Sequence, residues 1–465
     1  MTLLFCALAL MAALAGCDKS SQQAQDPREA GVDRQVREKW GKPLDELSTV
    51  KLVVISPHNT DIEWEFGQAF SLHHAVEHGQ RVEIEWRDIG GGGSAILKYI
   101  KEVYARSDSS DIDIVWGGGE EPFQQLAKEG FLEPLTLSQD VLDNIPATLS
   151  GLRMYDESQL WCGSAVSGFG FLYNAPLLAS LKRQPPTTWE DLGSPEYYDL
   201  VALADPVLSS SAASAYGMIV QSAGNWADGW AKLLGILGNA KRYYEGASGA
   251  ADAPVSGETA VAACIDFYGA IRVAKYPDVL VYVSPRGGTA FNADPIAILK
   301  NPPSRELAQR FVDFVLSRHG QALWALQPGS PDGPVRSALG RQPIRRDVYT
   351  VYAKSLSPWI INPYEAGQTI ELDTELWRES FPVLRQLVWA AAISNRDGLR
   401  AAKKKLIDTN FEPRRLEEFN RLPADVATRE QLADVSRRLE DKKQADLILS
   451  EWTRFFRAKY QRVAE

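Results

Sequence analysis

The sequence predicts an α/β fold with mostly parallel sheets flanked by helices, and three patterns indicate it. From Lys51 onward, short apolar runs alternate with stretches of helical period, beginning with a strand at 52–55 and a helix at 62–78. Glycine-rich turns at 90–93 and 117–119 follow two further expected strands, as in βα units. The chain has 465 residues, of which 45% are apolar and 24% charged, and is long enough for about two or three domains.

The other expected elements follow the same alternation. A half-exposed strand is predicted at 82–86 and a buried strand at 112–116. Thr187 and Glu190 have capping-box spacing at the start of a helix, and residues 428–431 form a second capping box that opens a long charged helix. Further strands are predicted at 200–204, 279–283 and 295–299.

The N-terminus has the pattern of a bacterial lipoprotein leader. An apolar run over 3–13 is too short to span a membrane and is typical of a signal peptide. The next residues, Leu14-Ala15-Gly16-Cys17, resemble the lipobox, in which cleavage leaves a cysteine that carries acyl chains. We therefore expect lipidation of Cys17 and anchoring to a bacterial membrane, in the periplasm or at the cell surface.

Charge and cysteine content restrict the function classes. The formal net charge of −10, without a basic stripe interleaved with aromatic residues, argues against a nucleic-acid partner. After the leader no apolar run approaches the length of a membrane span. Cys162 and Cys264 remain once Cys6 leaves with the leader and Cys17 is lipidated. They either pair in an oxidising compartment or stay as two buried thiols.

The glycine-rich turns are the first candidate ligand sites. Gly92 and Ser94 belong to one turn, and Gly118 and Glu120 to the other, each between a strand and a helix. Such turns direct backbone N–H groups and a helix N-terminus toward one point, which suits an anion. The alternative is a tight turn with no ligand. Neither turn matches a dinucleotide fingerprint or a P-loop, so a nucleotide is not expected.

A second candidate site combines hydroxyl groups with a helix start. Residues 209–214 read SSSAAS and follow Asp205 and Pro206, so a helix N-cap explains one serine but not four. Arg286 and Thr289 come just after a strand, and the guanidinium suits a carboxylate or a phosphate. A surface arginine in a turn is the alternative interpretation.

One motif points to a different class of protein. His74-x-x-Glu77-His78 is the inverted zinc-protease motif, with both histidines on one helix face. A zinc-dependent hydrolase is therefore the rival hypothesis. The competing interpretation is that histidines in the last turn before Gly79 interact with the helix C-terminus. No G-x-S-x-G pattern for a serine nucleophile occurs.

Several short stretches between residues 50 and 350 occur together in one order. They are VVISPHN at 53–59, DIVWGGG at 113–119, GFLEPL at 130–135, FLYN at 171–174, PTTWEDL at 186–192, ALADP at 202–206, SGETA at 256–260, IDFY at 265–268 and DPIAIL at 294–299. In this order they resemble the extracellular solute-binding proteins of ABC importers. The similar branch contains ferric-iron, phosphonate, sugar-phosphate and thiamine binders.

The resemblance implies a type II periplasmic-binding-protein-like fold, with two α/β lobes and a ligand cleft between them. Closure would be a hinge motion, with the chain passing between lobes near 162–169 and 282–291. The expected parts are a signal peptide (1–16), a lipidated tether (17–48), the first part of lobe 1 (49–162), lobe 2 (163–283), the second part of lobe 1 with a wrapping segment (284–394) and a C-terminal helical extension (395–465).

The resemblance also bears on the ligand. Ferric-binding relatives use a histidine in the first loop and a tyrosine pair, and here His58 is present but the pair is Phe267-Tyr268. Iron is the alternative ligand, with His58 and Tyr268 as its residues. The serines at 209–211 stand where such relatives hold a phosphate-like anion, which favours a small anionic, perhaps phosphorylated, organic solute.

The implied function is capture of this solute by a membrane-anchored monomer and its delivery to ABC permease subunits, with no catalysis and no cofactor. The expected ligand contacts are His58, Asn59, Gly92, Ser94, Gly118, Glu120, Ser209, Ser210, Ser211, Ala212, Tyr268, Arg286 and Thr289.

Overall fold

The computed structural model of the protein describes residues 26–465, and these form two units. The smaller unit comprises residues 26–50 and 68–83, and the larger comprises 51–67 and 84–465. None of the helices in the described part of the chain is both long and apolar enough to cross a membrane. Cys6, the lipobox and Cys17 lie outside the described residues, so their predicted roles remain predictions.

The smaller unit is built on helix α1 (Glu29–Trp40) and the second half of α2 (Thr60–His78). Val36, Leu44 and Leu72 form a small buried cluster, and Trp40 Nε1 donates a hydrogen bond to the carbonyl of Val76 at 2.9 Å. Residues 26–48, expected to be a tether, are therefore folded here because they carry enough apolar side chains to bury.

The first sheet lies in the order β2-β1-β3-β13-β4, and β7 also pairs with β13. β1 and β3 are parallel, whereas β13 runs antiparallel to β3, β4 and β7. The sheet with the helices packed on it is called the first lobe. Its strands are β1 (Thr49–Ile55), β2 (Arg81–Arg87), β3 (Ile114–Trp116), β4 (Leu132–Glu133), β7 (Cys162–Ser167) and β13 (Asn292–Leu299), and a hairpin of β5 (Thr148–Leu149) and β6 (Leu152–Arg153) accompanies them.

The second sheet has the order β10-β9-β11-β8-β12 and, with its helices, forms the second lobe. β9, β10 and β11 are parallel, and β8 is antiparallel to β11 and β12. Both sheets are therefore mixed, since the strands that carry the chain between them run antiparallel to their neighbours. The strands are β8 (Phe169–Asn174), β9 (Val201–Ala204), β10 (Ala240–Tyr244), β11 (Val261–Ile265) and β12 (Leu280–Val283).

The chain passes from the first sheet to the second at Gly168, and it returns over residues 284–291. The first sheet thus continues beyond residue 162, the expected end of the first part of lobe 1, because β7 pairs with β13. Near residue 370 the chain passes to the second lobe again, where Ile370 N–H donates to the carbonyl of Thr289 at 2.8 Å.

Helices cover both sheets. In the first lobe they are α3 (Gly93–Tyr104), α4 (Glu120–Lys128), α5 (Gln139–Asn144), α12 (Arg305–Leu316), α13 (Arg318–Ala325) and α14 (Arg346–Val351). In the second lobe they are α6 (Ala175–Ser180), α7 (Trp189–Gly193), α8 (Ser210–Gln221), α9 (Trp226–Gly238), α10 (Ala247–Ser256), α11 (Asp266–Lys275), α15 (Thr374–Val388), α16 (Arg396–Asp408), α17 (Pro413–Asn420), α18 (Arg429–Arg438) and α19 (Lys442–Ala464).

Capping boxes begin helices at both predicted places, the first displaced by one residue and the second at the predicted residues. The first shifts by one residue, since Thr188 Oγ1 accepts from the N–H of Asp191 at 3.3 Å and begins α7. The second is present, because Gln431 Oε1 accepts from Thr428 N–H at 3.0 Å. The long helix predicted there is interrupted after Arg438, and α19 starts anew with Asp441 as its cap.

The C-terminal helices share the core of the second lobe. Trp452 and Phe456 of α19 are buried in the same cluster as Trp230 of α9, and the rings of Trp230 and Phe456 are 5.9 Å apart. Val383 of α15 belongs to this cluster as well. The segment from 374 onward, of which 374–394 was expected in lobe 1, therefore packs with the second lobe.

A substitution at Gly170 tests the close pairing of β8 and β12. In Gly170→Ala the new Cβ would lie 2.0 Å from the carbonyl oxygen of Val283, and the free energy of unfolding is expected to fall by about 2–3 kcal/mol. Gly31→Ala is the control, because a Cβ at this position in α1 would have no other atom within 4 Å. The free energy of unfolding of this variant should rise by about 0.5 kcal/mol. Urea unfolding measures both, and an equal change in the two variants would contradict this packing.

Candidate ligand-binding site

The carboxylate of Asp294 joins three segments of the first lobe. Its Oδ2 accepts a hydrogen bond from His58 Nε2 at 3.0 Å and pairs with Arg341 Nη1. Its Oδ1 accepts hydrogen bonds from the backbone N–H groups of Gly118 and Gly119 at 2.9 and 3.2 Å. The loops after β1 and β3 and the segment between α13 and α14 therefore meet on one carboxylate of β13.

The surroundings keep this carboxylate ionised. Burial alone would raise the pKa of Asp294, but the Arg341 guanidinium and the hydrogen bond from His58 hold that pKa well below its usual range. Burial lowers the pKa of His58, although its hydrogen bond to Asp294 opposes this shift. The His58 side chain is only 1% exposed. The cluster is therefore a buried ion pair of Asp294 and Arg341 with a neutral imidazole beside it.

The turn after β3 has the conformation expected of an anion-binding turn. Gly117, Gly118 and Gly119 have φ values of 83°, 103° and 86°, and a Cβ at residue 117 would lie 2.7 Å from the His58 ring. Only glycine fits such backbone at such close approach. Gly117 donates its N–H to the carbonyl of Pro295, and Gly118 and Gly119 donate theirs to Asp294. The Gly118 N–H, which was predicted to contact a ligand, is thus paired within the chain.

The same cluster reaches the second lobe. The guanidinium carbon of Arg341 lies 4.3 Å from the ring centre of Phe267, the second residue of α11. Behind it, Trp116 Nε1 donates to Ser164 Oγ at 2.7 Å, and this hydroxyl donates to the backbone carbonyl of Asp294 at 2.8 Å. Arg341 therefore contacts both lobes next to the point where the chain passes between them.

The passage itself is held by two buried side chains. Asp266 Oδ2 accepts from Gly168 N–H at 3.0 Å, and Thr289 Oγ1 accepts from Phe169 N–H at 2.9 Å. Burial raises the pKa of Asp266 to about 7, against the effect of its backbone hydrogen bonds. Thr289 is fully buried, so it is a structural residue and not the ligand contact that the sequence predicted.

A pocket lies in the second lobe at the carboxyl ends of β9 and β11. Ser209 caps α8, because its Oγ accepts from Ala212 N–H at 3.3 Å and lies 3.2 Å from Ser211 Oγ. The pocket is lined by mostly small side chains, namely Ala204, Ser211, Ala212, Ala215, Tyr216, Ala247, Ala263, Cys264 and Ile265.

This pocket has one feature that suits an anion. It lies at the starts of α8 and α10, which begin at Ser210 and Ala247. The first N–H groups of a helix have no partner within the helix and carry partial positive charge, which stabilises an anion. Of the predicted serine run, Ser211 and Ala212 line the pocket, whereas Ser209 serves as the cap and Ser210 is exposed.

The other predicted contacts in the first lobe lie apart from that pocket. Asn59 Oδ1 accepts from Ile62 N–H at 3.1 Å at the start of α2. Gly92 caps α3, and Ser94 is exposed beside it. Glu120 begins α4, and burial raises its pKa to about 7. These residues lie at the starts of three successive helices, as predicted for loops at strand ends.

Arg286 has a different role from the predicted one. Its side chain is 62% exposed, and Nη2 donates to the carbonyl of Ala366 at 3.0 Å. Nη1 lies 3.8 Å from Glu365 Oε2. The guanidinium therefore holds the segment that leads to α15.

The two residues proposed for iron make different contacts in this structure. His58 is enclosed in the first lobe and bonded to Asp294. Tyr268 lies in α11, where its ring packs against Phe267 at 4.5 Å and beneath Arg272 at 5.5 Å. Among residues 26–465, no group of three or more His, Cys, Asp or Glu side chains is placed to hold a metal ion.

The zinc-protease motif lies at the end of α2 in the smaller unit. A ring nitrogen of His74, Nδ1, is 2.8 Å from the carbonyl oxygen of Gln80, and Glu77 forms an ion pair with Lys39 at 3.0 Å. The rings of His74 and His78 are 4.6 Å apart. Glu77, the general base in the hydrolase hypothesis, is thus paired with a lysine.

Cys162 and Cys264 are both free and buried. Cys162 belongs to β7 of the first sheet and Cys264 to β11 of the second, so they do not form a disulfide here. Burial raises the pKa of Cys264 to about 12, which makes it an unreactive thiol.

Sequence reasoning did not select Asp294 or Arg341. Asp294 belongs to the stretch at 294–299, and Arg341 belongs to none of the motifs that the sequence shows. The available signal is an Asp-Pro pair at the start of the apolar run that continues to residue 299. A charge at a buried position requires a partner, and that requirement points to an arginine elsewhere in the chain.

The fold is similar to that of solved periplasmic binding proteins. AfuA from Actinobacillus pleuropneumoniae, solved with exogenous fructose-6-phosphate bound, is 19% identical, with a TM-score of 0.53 over 77% of this chain and 98% of that chain. Iron-bound HitA from Pseudomonas aeruginosa is 18% identical, with a TM-score of 0.52 over 70% of this chain and 93% of that chain. At these identities the likeness defines a class by its fold, that of the two-lobed periplasmic binding proteins.

The family follows from the sequence. Residues 111–343, half of the chain, match the model of the bacterial extracellular solute-binding proteins, and the chain belongs to this family. The phosphoglycerate transport regulatory protein PgtC of Salmonella typhimurium is 31% identical over 185 residues, which are 40% of this chain. These residues span 46% of PgtC, or about half of its length. An uncharacterized protein of Haemophilus influenzae is 27% identical over 53% of this chain and 69% of its own length.

Removal of the Asp294 carboxylate should destabilise the first lobe strongly. In Asp294→Ala the buried Arg341 loses its counter-charge, and the free energy of unfolding is expected to fall by about 3–5 kcal/mol. Asp111→Ala is the matched control, because Asp111 is 72% exposed in its ion pair with Arg87. Its loss should lower the free energy of unfolding by less than about 1 kcal/mol. Denaturant unfolding compares the two, and similar losses would show that the Asp294 cluster is not essential. The double variant with Arg341→Met should recover part of the loss.

The raised pKa of Asp266 predicts a pH dependence of stability. The folded protein retains a proton on Asp266 up to about pH 7, whereas the unfolded chain releases it near pH 4. The resulting stabilisation is complete below about pH 4 and is lost as the pH rises through about 7. In Asp266→Asn this loss should disappear, so the stability of the variant relative to that of the wild type should increase between pH 5 and pH 8. Unfolding midpoints across this range measure the difference, and parallel curves for both proteins would refute the assignment.

Proposed function

We propose that this protein binds a small anionic, phosphorylated organic solute between its lobes, with the anionic group held by the second lobe, and delivers it to an ABC permease. The observation that carries the proposal is the pocket at the starts of α8 and α10, where Ser211 and Ala212 meet Ala247 among small side chains. Helix N-termini stabilise phosphate groups, and small side chains allow the ligand to reach the backbone.

The properties of relatives support the same class of ligand. One structural neighbour holds fructose-6-phosphate, and one sequence relative is named for phosphoglycerate transport. In this proposal the solute lies between the lobes, which close on it by bending at Gly168 and over residues 284–291. The protein binds without catalysis, acts as a monomer, and is held at the membrane by lipidated Cys17.

A substitution in the pocket tests the proposal. Ser211→Asp places a carboxylate at the start of α8, where it stabilises the helix but repels an anionic ligand. We expect the wild type to bind 3-phosphoglycerate or fructose 6-phosphate in isothermal titration calorimetry. The variant should bind at least about a hundredfold more weakly, because a like charge at a binding site costs several kcal/mol.

Ala227→Asp is the matched control. Residue 227 is exposed and has the same position in α9 as residue 211 has in α8, so its carboxylate should leave the affinity unchanged. Failure of the wild type to bind any phosphorylated probe would contradict the proposal. A ferric charge-transfer band that Tyr268→Phe abolishes would replace the organic anion with iron as the ligand.

A further inference from the structure

Helix α15 lies along α8 and runs antiparallel to it. Asp373, which caps α15, donates its N–H to Gln221 Oε1 at 2.8 Å, at the end of α8. One turn further, Trp377 packs on Gly217, where a Cβ would lie 2.7 Å from the indole ring. From these contacts α15 runs back toward the start of α8, and hence toward the pocket in the second lobe.

The end of α15 places Arg385 against the loop that leads into α8. Arg385 Nε donates to the carbonyl of Pro206 and Nη2 to the carbonyl of Val207, each at 2.8 Å. The N–H of Val207 donates to Asp205 Oδ1 at 2.8 Å on the other side of the same loop. Ser209, the cap of α8, follows two residues later. The two contacts from Arg385 therefore fix the backbone immediately before the capping residue.

The charge of Arg385 also matters at this position. Antiparallel packing puts the negative end of the α15 dipole beside the start of α8, where it would weaken the attraction for an anion. A cation in the last turn of α15 offsets that partial charge. Burial lowers the pKa of Arg385, and the charges of Glu121 and Asp205 oppose this shift. Since Glu121 lies in α4, a carboxylate of the first lobe acts on this arginine.

We propose that Arg385 is a positioning residue of the anion site in the second lobe, and that the C-terminal segment thereby takes part in ligand binding. The inference rests on the proposed function. It goes beyond the family resemblance, because the match to the family ends at residue 343 and Arg385 lies outside it. Arg385 acts by holding the loop at 206–208 and by adding positive charge, and it does not itself need to touch the solute.

The test compares Arg385→Gln, Arg385→Lys and Arg378→Gln with the wild type, using 3-phosphoglycerate as the probe. Arg378 is the matched control, since it lies in the same helix and is 75% exposed. We expect Arg385→Gln to weaken binding about tenfold, as the loss of a charge-assisted contact does, and to flatten the salt dependence of the Kd. Arg385→Lys should keep the salt dependence and recover part of the affinity, whereas Arg378→Gln should bind as the wild type does.

Urea unfolding of each variant separates positioning from stability. A purely structural role would lower the unfolding midpoint and leave the Kd of the fully folded protein unchanged, and that result would overturn the proposal. If the wild type binds the probe and Arg385→Gln has the same Kd, the role of Arg385 is overturned but the proposed function is not. Absence of probe binding by the wild type would overturn the proposed function and this inference together.

Discussion

The carboxylate of Asp294 is the interaction on which the first lobe depends. It satisfies the N–H groups of Gly118 and Gly119, balances the charge of Arg341 and holds the imidazole of His58, all away from solvent. A buried charge without partners would cost several kcal/mol, so the Asp294 carboxylate and the Arg341 guanidinium each require the other. The Asp294 carboxylate thus holds these loops of the first lobe in place.

The Asp294 carboxylate distinguishes the two lobes. In the first lobe, the glycine turn has the conformation of an anion site but its donors are occupied by Asp294. In the second lobe, the start of α8 is capped by Ser209, and Ser211 and Ala212 still line a pocket. The lobes therefore differ in their chemistry, and the proposed function assigns the negatively charged group of the solute to the second lobe.

The strand and helix pattern could be predicted from the sequence because it follows from local periodicity. The strand at 52–55 and the end of α2 at His78 before Gly79 were predicted correctly. The order of the short stretches between residues 50 and 350 also indicated the two-lobed fold, and the family match confirms that resemblance. The pairing of β7 with β13 could not be predicted, because residues far apart in the chain decide which sheet a strand joins.

The candidate site was harder to predict for the same reason. A glycine turn and a histidine look available to a ligand in the sequence, but whether their donors are occupied depends on Asp294, more than 170 residues away from the turn. Likewise, Thr289 has the chemistry of a ligand contact, yet its burial between the crossing strands makes it structural. Local patterns identified the start of α8 correctly because a helix N-terminus is itself a local feature.

The shared core of the second lobe has a consequence for how the chain reaches its folded state. Trp226 donates its indole N–H to the carbonyl of Val426, and Trp230 packs on Phe456 near the end of the chain. Trp226 and Val426 are 200 residues apart in the sequence, so the second lobe cannot complete its core until the segment that contains Val426 has been synthesised. Contacts between such distant parts of the chain form late and slow the folding of a domain, so we expect the second lobe to fold more slowly than its many helices alone would suggest.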